Sequence, residues 1–269
     1  MFWCILFKTT FFNKIMDTEI YNKITKRKQF SQLCKIDVEM AWKHFENRQT
    51  STEDKIKLTR NLLGKSFAMF TSKRFLKSKF FEAEWILKRH SSTSERFEFY
   101  PEIYSKIFLR IKEKAIVFDL GAGVNGFSYS YFPKGFSYVG IESLGQLVKS
   151  MNLYFEKKKF KNAKAMHFSL FELQKIKKLI KKEKGKKIIF LFKVLDSLEM
   201  LEKGYSKIFL EEIVNLADKV AISFATRSLI KKTKFKVNRK WLFNLISLKF
   251  KLIDQFEIGN EKYIIFSKK

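Results

Sequence analysis

A glycine-rich turn followed by an acidic residue is the part of this chain that most directly indicates chemistry. The turn, Gly121-Ala122-Gly123, follows the apolar run Val117-Phe118-Asp119-Leu120. Glycine at such a turn lets the backbone approach a ligand closely, because a side chain there would collide with it. Glu142 ends a second apolar run about 23 residues after Asp119, a spacing at which a carboxylate binds ribose hydroxyls in nucleotide-binding units. Together they predict a site for a nucleotide-like cofactor, although a plain turn with a solvated Glu142 would have the same sequence.

A polar heptad, His90-Ser91-Ser92-Thr93-Ser94-Glu95-Arg96, lies upstream of this turn. Its hydroxyl groups could cap a helix that begins near Ser94, because a side-chain oxygen before a helix accepts hydrogen bonds from the first backbone N–H groups. Taken alone, the heptad is equally consistent with a cap beside an exposed Glu–Arg pair and with part of a binding site.

Charge and composition restrict the partners of the protein. The 269 residues include 55 Lys and Arg against 27 Asp and Glu, a net charge of +28, and 46% are hydrophobic, which predicts a folded core in one large or two modest domains. Phosphate backbones are the partner that such a surplus most often serves, because each neutralised phosphate releases counterions. An AT-rich genome would also favour Lys, Phe, Ile and Asn. We favour nucleic-acid binding, because acidic residues are not raised in proportion.

The number of cysteines and the first residues of the chain indicate the cellular compartment of the protein. Cys4 and Cys34 are too few for a disulfide framework and have no partner at metal-ligand spacing, so we expect a cytoplasmic protein without a metal. The apolar start at residues 2–7 is interrupted by Lys8 and is too short to span a bilayer. We therefore interpret residues 1–15 as a disordered extension or a misread start, with a weak membrane anchor as the alternative.

The chain after residue 15 shows two different sequence patterns. Residues 16–112 have a helical pattern, with Gly64 as their only glycine and a helix start at Thr52-Glu53-Asp54. After residue 112, short apolar runs alternate with amphipathic stretches, which is typical of parallel βαβ units. We predict strands at 115–120, 136–141, 164–168, 187–192, 219–224, 251–257 and 261–267, and helices near 143–156, 170–183, 205–217 and 238–248.

The order of these elements predicts the fold class. The last two strands are joined tightly through Gly259-Asn260, which predicts a hairpin and an antiparallel last strand. A Rossmann-like, mostly parallel seven-stranded sheet of this kind is the arrangement of class I methyltransferases that depend on S-adenosylmethionine (SAM). We predict this α/β fold for residues 106–269, preceded by an all-helical domain over residues 16–105.

The heptad followed by the glycine turn resembles the aminoglycoside-resistance 16S rRNA guanine-N7 methyltransferases, which carry a His-x-Ser-Thr-x-Glu-Arg signature before their SAM domain. Gly126, Asp196 and Ala225 stand where that family has proline, and Ser169 stands at an adenine-contacting position that is acidic in the family. Four further segments in the same order are similar to the family, so that the resemblance spans residues 90–261: 117–125, 192–199, 222–229 and 258–261.

The resemblance implies SAM as the cofactor. Arg96 would hold its methionine carboxylate through a charge-assisted contact. Asp119 and the Gly121-Ala122-Gly123 turn would lie beside the methionine and ribose, and Glu142 would bind the ribose. The adenine would be flanked by Phe168, Ser169 and Leu170, with Phe192 completing the cofactor-binding set.

The resemblance also implies an RNA partner, the 16S rRNA of the small ribosomal subunit, bound by a monomer. Lys193 and Glu199 would be the catalytic residues, and the N-terminal helices would dock on the subunit. Arg227 would face the RNA, and we expect the basic run that follows it, with Lys231, Lys232 and Lys234, to contact phosphates. The basic run at 175–187 interleaves apolar residues and is interpreted as a solvated helix face.

The expected reaction needs no general base, because guanine N7 already carries a lone pair. We expect in-line transfer of the sulfonium methyl group, driven by positioning and electrostatics. Glu199 would stabilise the charge on the guanine or accept from its N1 and N2 edge, while Lys193 reaches O6 or a phosphate; either could instead be an ordinary helix-end charge. The alternatives are a methyltransferase for tRNA or another RNA, one for a small molecule, and an inactive RNA-binding relative.

Overall fold

The computed structural model describes residues 16–67, 82–90, 92–111, 114–226 and 239–269. The interpretation of residues 1–15 therefore lies outside the described residues. The predictions for Arg227, Lys231, Lys232 and Lys234 lie outside them as well.

The N-terminal part is helical, as predicted. Polar caps begin two of its helices: the Asp17 carboxylate accepts from the backbone N–H of Glu19 at 2.6 Å, and the Ser51 hydroxyl accepts from that of Asp54 at 3.1 Å. The second cap confirms the predicted start at Thr52. The helices are α1 (Thr18–Thr25), α2 (Lys35–Lys43), α3 (Thr52–Ser66), α4 (Ala83–Arg89) and α5 (Tyr100–Phe108).

The helix predicted to begin near Ser94 is absent, and that prediction is wrong. Residues 92–96 form turns, a short 3₁₀ segment follows at Phe97–Phe99, and α5 begins only at Tyr100. The Thr93 hydroxyl points inward and donates to the backbone oxygen of Leu87 at 2.8 Å. The hydroxyl-rich stretch thus ends α4 instead of starting a new helix.

The C-terminal part forms the predicted seven-stranded sheet, with each strand end within one residue of its predicted position. The order β3-β2-β1-β4-β5-β7-β6 has parallel neighbours from β3 to β5, while β7 runs antiparallel to both β5 and β6. This confirms the predicted fold class. The strands are β1 (Ala115–Leu120), β2 (Ser137–Glu142), β3 (Ala163–His167), β4 (Lys186–Phe192), β5 (Lys219–Ala225), β6 (Phe250–Ile258) and β7 (Glu261–Lys268).

Helices cover both faces of the sheet. One short helix between β4 and β5 was not predicted, and the predicted helix at 205–217 is an α-helix that ends at Ile213 and continues as a 3₁₀ turn. The lysine-rich helix after β3 buries Ile176 and Ile180 beneath exposed lysines, as expected for a solvated face. The helices are α6 (Gly145–Lys157), α7 (Leu173–Lys182), α8 (Leu195–Leu201), α9 (Tyr205–Ile213) and α10 (Lys240–Lys249).

Successive strand residues separate the core into two layers, because their side chains point to opposite faces. Phe118 and Ile189 belong to the layer beneath α7, α9 and α10, whereas Val117 and Phe190 belong to the other layer. That second layer also contains buried residues of α1, α3 and α5, so the N-terminal helices share a hydrophobic cluster with the sheet. The division at residue 105 stays a prediction; α5 spans that position.

Candidate active site

A cleft opens at the carboxyl ends of β1, β2 and β4, where the strand order reverses between β1 and β4. Parallel α/β sheets bind ligands at this position. The predicted residues that line the cleft are Arg96, Asp119, Gly121, Ala122, Gly123, Glu142, Leu170, Phe192 and Lys193.

Both glycines of the turn have left-handed backbones, with φ of +75° at Gly121 and +55° at Gly123. A Cβ at Gly121 would lie 2.5 Å from a methyl carbon of Val194, so this position needs glycine for packing as well as for conformation. A Cβ at Gly123 would meet only the His90 ring at 3.8 Å and the Ser92 hydroxyl at 3.9 Å. The backbone at Gly123 is therefore exposed to the cleft.

Glu142 is fixed against this turn. One carboxylate oxygen accepts from the backbone N–H of Gly123 at 2.8 Å, and the other accepts from that of Leu144 at 2.9 Å. Burial raises the pKa of Glu142, and the backbone N–H groups oppose that shift. Each oxygen keeps a lone pair for a further donor such as a hydroxyl group.

A hydrogen-bonded chain connects the end of β1 to the heptad. One Asp119 oxygen accepts from the Asn125 amide nitrogen at 2.8 Å and from the Tyr138 hydroxyl at 2.9 Å. The Asn125 amide oxygen in turn accepts from Arg96 Nη1 at 3.1 Å and from the Tyr100 hydroxyl at 2.8 Å. Asp119 thus acts on the cleft through Asn125, which orients Arg96.

Arg96 is 2% exposed and lies between an acid and an aromatic ring. Its Nε donates to Glu261 at 3.0 Å, and its guanidinium carbon lies 4.9 Å from the centroid of the Phe192 ring. Nη2 makes no hydrogen bond with any residue in the described part of the chain. A buried guanidinium with one uncommitted nitrogen beside a cleft can bind a carboxylate.

Lys193 follows β4 directly and has a left-handed backbone, with φ of +58°, which is strained for a residue other than glycine. Its Nζ donates to Glu95 at 2.6 Å and to Glu261 at 3.1 Å. Two of its three protons are therefore engaged, which leaves one for a group in the cleft.

Glu261 links the two cations. Its oxygens accept from Arg96, Lys193 and the Ser223 hydroxyl. Burial alone would raise the pKa of Glu261, but the charges of Arg96 and Lys193 and the Ser223 hydrogen bond outweigh burial and lower it. Glu261 is therefore an ionised, fully buried counterion.

Three predicted site residues lie outside the cleft lining. The Glu199 carboxylate accepts from the backbone N–H groups of Gly204 at 2.8 Å and Ser206 at 2.9 Å, so it caps the start of α9. The role of Glu199 at a target nucleotide beside Lys193 stays a prediction. Phe168 is half-buried beside Lys175, and Ser169 is fully buried behind the cleft wall.

The sequence interpretation missed two polar residues of the N-terminal helices that line the cleft, Asp37 of α2 and Ser66 of α3. Asp37 accepts from the hydroxyls of Ser143 and of Ser169, the latter at 2.8 Å. Burial raises the pKa of Asp37 to about 7. No spacing pattern could have indicated Asp37, because its partners lie more than a hundred residues away in the chain.

Comparison with known proteins identifies the fold. No family model and no curated protein matches the sequence. Among solved structures, the 16S rRNA methyltransferase RmtF in complex with S-adenosyl-L-homocysteine matches with a TM-score of 0.75 and 18% identity, over 95% of this chain and all of that chain. The chain shares its fold with rRNA methyltransferases.

Two further solved structures agree. The 16S rRNA methylase RmtB matches with a TM-score of 0.72 and 20% identity over 94% of this chain, and an rRNA methylase from Escherichia coli matches with 0.72 and 20% over 93%; both are covered completely. The likeness thus extends over the N-terminal helices as well as the sheet. At these identities it establishes the class I SAM-dependent methyltransferase fold.

The described residues contain neither a metal-binding cluster nor a membrane-spanning helix. No group of three or more His, Cys, Asp or Glu residues could hold a metal ion. No helix within the described ranges is long and apolar enough to cross a membrane.

Proposed function

We propose that this protein is a SAM-dependent RNA methyltransferase that methylates a guanine N7 of 16S rRNA within the assembled small subunit. The observation that carries the proposal is the position of Arg96. This buried guanidinium has one uncommitted nitrogen and lines the same cleft as the glycine turn and Glu142. The neighbouring structures support it, since one is named as a complex with S-adenosyl-L-homocysteine and all three are named as rRNA methylases.

The residues of the cleft fit SAM. Arg96 would bind the methionine carboxylate through Nη2, and the exposed backbone at Gly123 would allow the cofactor to pass closely. Glu142 has spare lone pairs for ribose hydroxyls, and Leu170 supplies apolar surface for the adenine. The cofactor supplies an activated methyl group; the protein binds it, orients it and excludes water.

Lys193 is the residue that we assign to the target nucleotide. Its strained backbone holds the ammonium at the cleft, and Glu95 and Glu261 fix its direction while one proton remains available. That proton would bind guanine O6 or an adjacent phosphate and so align N7 with the methyl group. Because N7 has a lone pair, the reaction needs alignment and electrostatics but no base.

The charge of the chain supports an RNA partner. A net charge of +28 favours phosphate backbones, and the exposed Lys26 and Lys28 extend it to the N-terminal part. In the proposal the N-terminal helices dock on the subunit, while Arg227, Lys231, Lys232 and Lys234 contact RNA near the cleft. The enzyme would act as a monomer in the cytoplasm.

Two measurements test the proposal. Isothermal titration should detect binding of S-adenosyl-L-homocysteine by the wild-type protein, weakened at least about tenfold in Arg96→Lys, which keeps the charge but lacks the planar fork. Arg110→Lys, at an exposed position, is the matched control and should bind normally.

The second measurement incubates purified small subunits with labelled SAM and maps the modified base by reduction and strand scission. Scission at a guanine of 16S rRNA is the expected result. Label in tRNA but not in 16S rRNA would reassign the substrate, and absence of label despite cofactor binding would overturn the assignment as an RNA methyltransferase.

A further inference from the structure

Asp37 is an unusual member of the cleft wall because it is 2% exposed and has no cationic partner among the described residues. Its hydrogen-bond partners are two neutral hydroxyls, and the charged groups that influence it most, Glu142 and Glu172, are themselves acidic. Buried carboxylates are normally paired or well supplied with donors, since an uncompensated buried charge is costly. A carboxylate with spare acceptor capacity at a cleft is suited to a ligand donor.

Backbone contacts fix Asp37 at this position. The segment before α2 forms a β-bridge between Leu33 and Leu144, in the loop after β2. The backbone N–H of Cys34 donates to the Ser143 oxygen at 3.1 Å, and that of Gly145 donates to the Gln32 oxygen at 2.9 Å. The first turn of α2 is therefore held against the sheet edge where Glu142 lies.

A second polar group of the helical part lies at the same cleft. The Ser66 hydroxyl, near the end of α3, is buried and has no hydrogen-bond partner among the residues that the structure describes. Phe67, Leu147 and Leu170 line the same cleft, together with Ser143, whose hydroxyl donates to Asp37. Apolar surface beside a carboxylate and an unpartnered hydroxyl suits a flat heteroaromatic ring that carries an amino group.

We propose that Asp37 accepts a hydrogen bond from the exocyclic amino group of the cofactor adenine, so that the N-terminal helices complete the cofactor pocket. This inference rests on the proposed function. Ser169, where the resemblance predicts an acid in contact with adenine, donates its hydroxyl to Asp37. The acid thus comes from α2 and is oriented by the serine that stands in its place.

The test compares two ligands that differ at position 6, an amino group in the first and an oxo group in the second, and at the adjacent N1, an acceptor in the first and a donor in the second. S-adenosyl-L-homocysteine and its deaminated form, S-inosyl-L-homocysteine, are titrated calorimetrically at pH 8 into the wild type, Asp37→Asn and Glu39→Gln. The wild type should prefer the amino form by at least about tenfold. In Asp37→Asn that preference should disappear or reverse, because an amide can donate to the 6-oxo group. Glu39→Gln, two residues further along α2 and outside the cleft lining, should retain it.

The outcomes separate this inference from the proposed function. If the wild type binds neither ligand, the SAM site itself is refuted. If it binds both equally, or if Asp37→Asn keeps the wild-type preference, Asp37 does not read the amino group although the SAM site stands. The equal-binding result needs no variant, so the inference can be refuted even if Asp37→Asn fails to fold.

Discussion

The two walls of the cleft treat buried charge in opposite ways. On the wall formed by the heptad and the sheet, Arg96 and Lys193 share the counterion Glu261, and hydroxyl and amide groups fill most of the remaining positions. On the wall formed by α2 and α3, and within the described part of the chain, Asp37 has only neutral hydrogen-bond partners and Ser66 has none. The first wall is organised before a ligand arrives, whereas the second leaves polar capacity for the ligand to satisfy.

The largest effect should come from removing the shared counterion. Glu261→Ala leaves the buried Arg96 without its acid and leaves Lys193 with Glu95 alone, and we expect it to lower the free energy of unfolding by about 3–5 kcal/mol in urea titrations. Glu257→Ala, an exposed acid on β6, should cost less than about 0.5 kcal/mol. An equal loss of unfolding free energy in the two variants would contradict the role of Glu261 as the counterion of Arg96 and Lys193.

Lys193→Ala tests the catalytic side of the same wall. We expect methylation of small subunits to fall at least about a hundredfold, as when a preorganised donor is removed. Affinity for S-adenosyl-L-homocysteine should change little, since Arg96 keeps Glu261. Unchanged turnover would remove Lys193 from the reaction.

Asp37→Asn tests the opposite wall through the pH dependence of its stability. Because burial raises the pKa of Asp37 to about 7, its contribution to stability is full below the unfolded value of 3.8 and is lost as pH rises through 7. The variant should therefore gain at least about 1 kcal/mol over the wild type between pH 5 and pH 8 in urea titrations.

The pH dependence of stability that Glu261 contributes has the opposite sign to that of Asp37. Its pKa is lowered, so its stabilisation is present above its ordinary value and is lost as pH falls through the folded-state value. The advantage of the wild type over Glu261→Gln should shrink in acid, whereas the difference at Asp37 grows toward alkaline pH. Parallel pH profiles for the two variants would refute the distinction between the walls.

The smallest effect is expected at Glu199. Glu199→Gln weakens two caps of α9 and should cost about 1 kcal/mol of stability. Methylation and cofactor affinity should be unchanged, because the side chain does not line the cleft. A large loss of turnover in a stable Glu199→Gln protein would instead support the catalytic role predicted from the sequence.

The sequence was sufficient for the sheet because the strands are local signals. Apolar runs such as Ile188-Ile189-Phe190-Leu191 end at charged or glycine positions, and the chain order of strands and helices determines a parallel sheet. The short α8 was missed, since seven residues hold too few turns to show a helical period.

The site could be predicted only where its residues belong to compact motifs. Gly121, Gly123 and Glu142 follow adjacent strands and lie together as expected. Asp37 and Ser66 reach the cleft through tertiary contacts that no local pattern encodes. The capping contacts of Glu199 could not be predicted, because a capping acid and a catalytic acid look identical in a sequence. In the heptad, the Thr93 hydroxyl donates to the backbone oxygen of Leu87 and does not cap a following helix.

The strand order has a consequence for the timing of folding. Glu261 lies at the start of β7, which inserts between β5 and β6, and it follows Arg96 by 165 residues. At ordinary elongation rates that interval takes roughly ten to thirty seconds. During it, the nascent chain holds the Arg96 guanidinium and, from residue 193 onward, the Lys193 ammonium without the acid that they share in the folded protein. The cleft is therefore among the last parts of the molecule to form, because the hairpin of β6 and β7 must first supply Glu261.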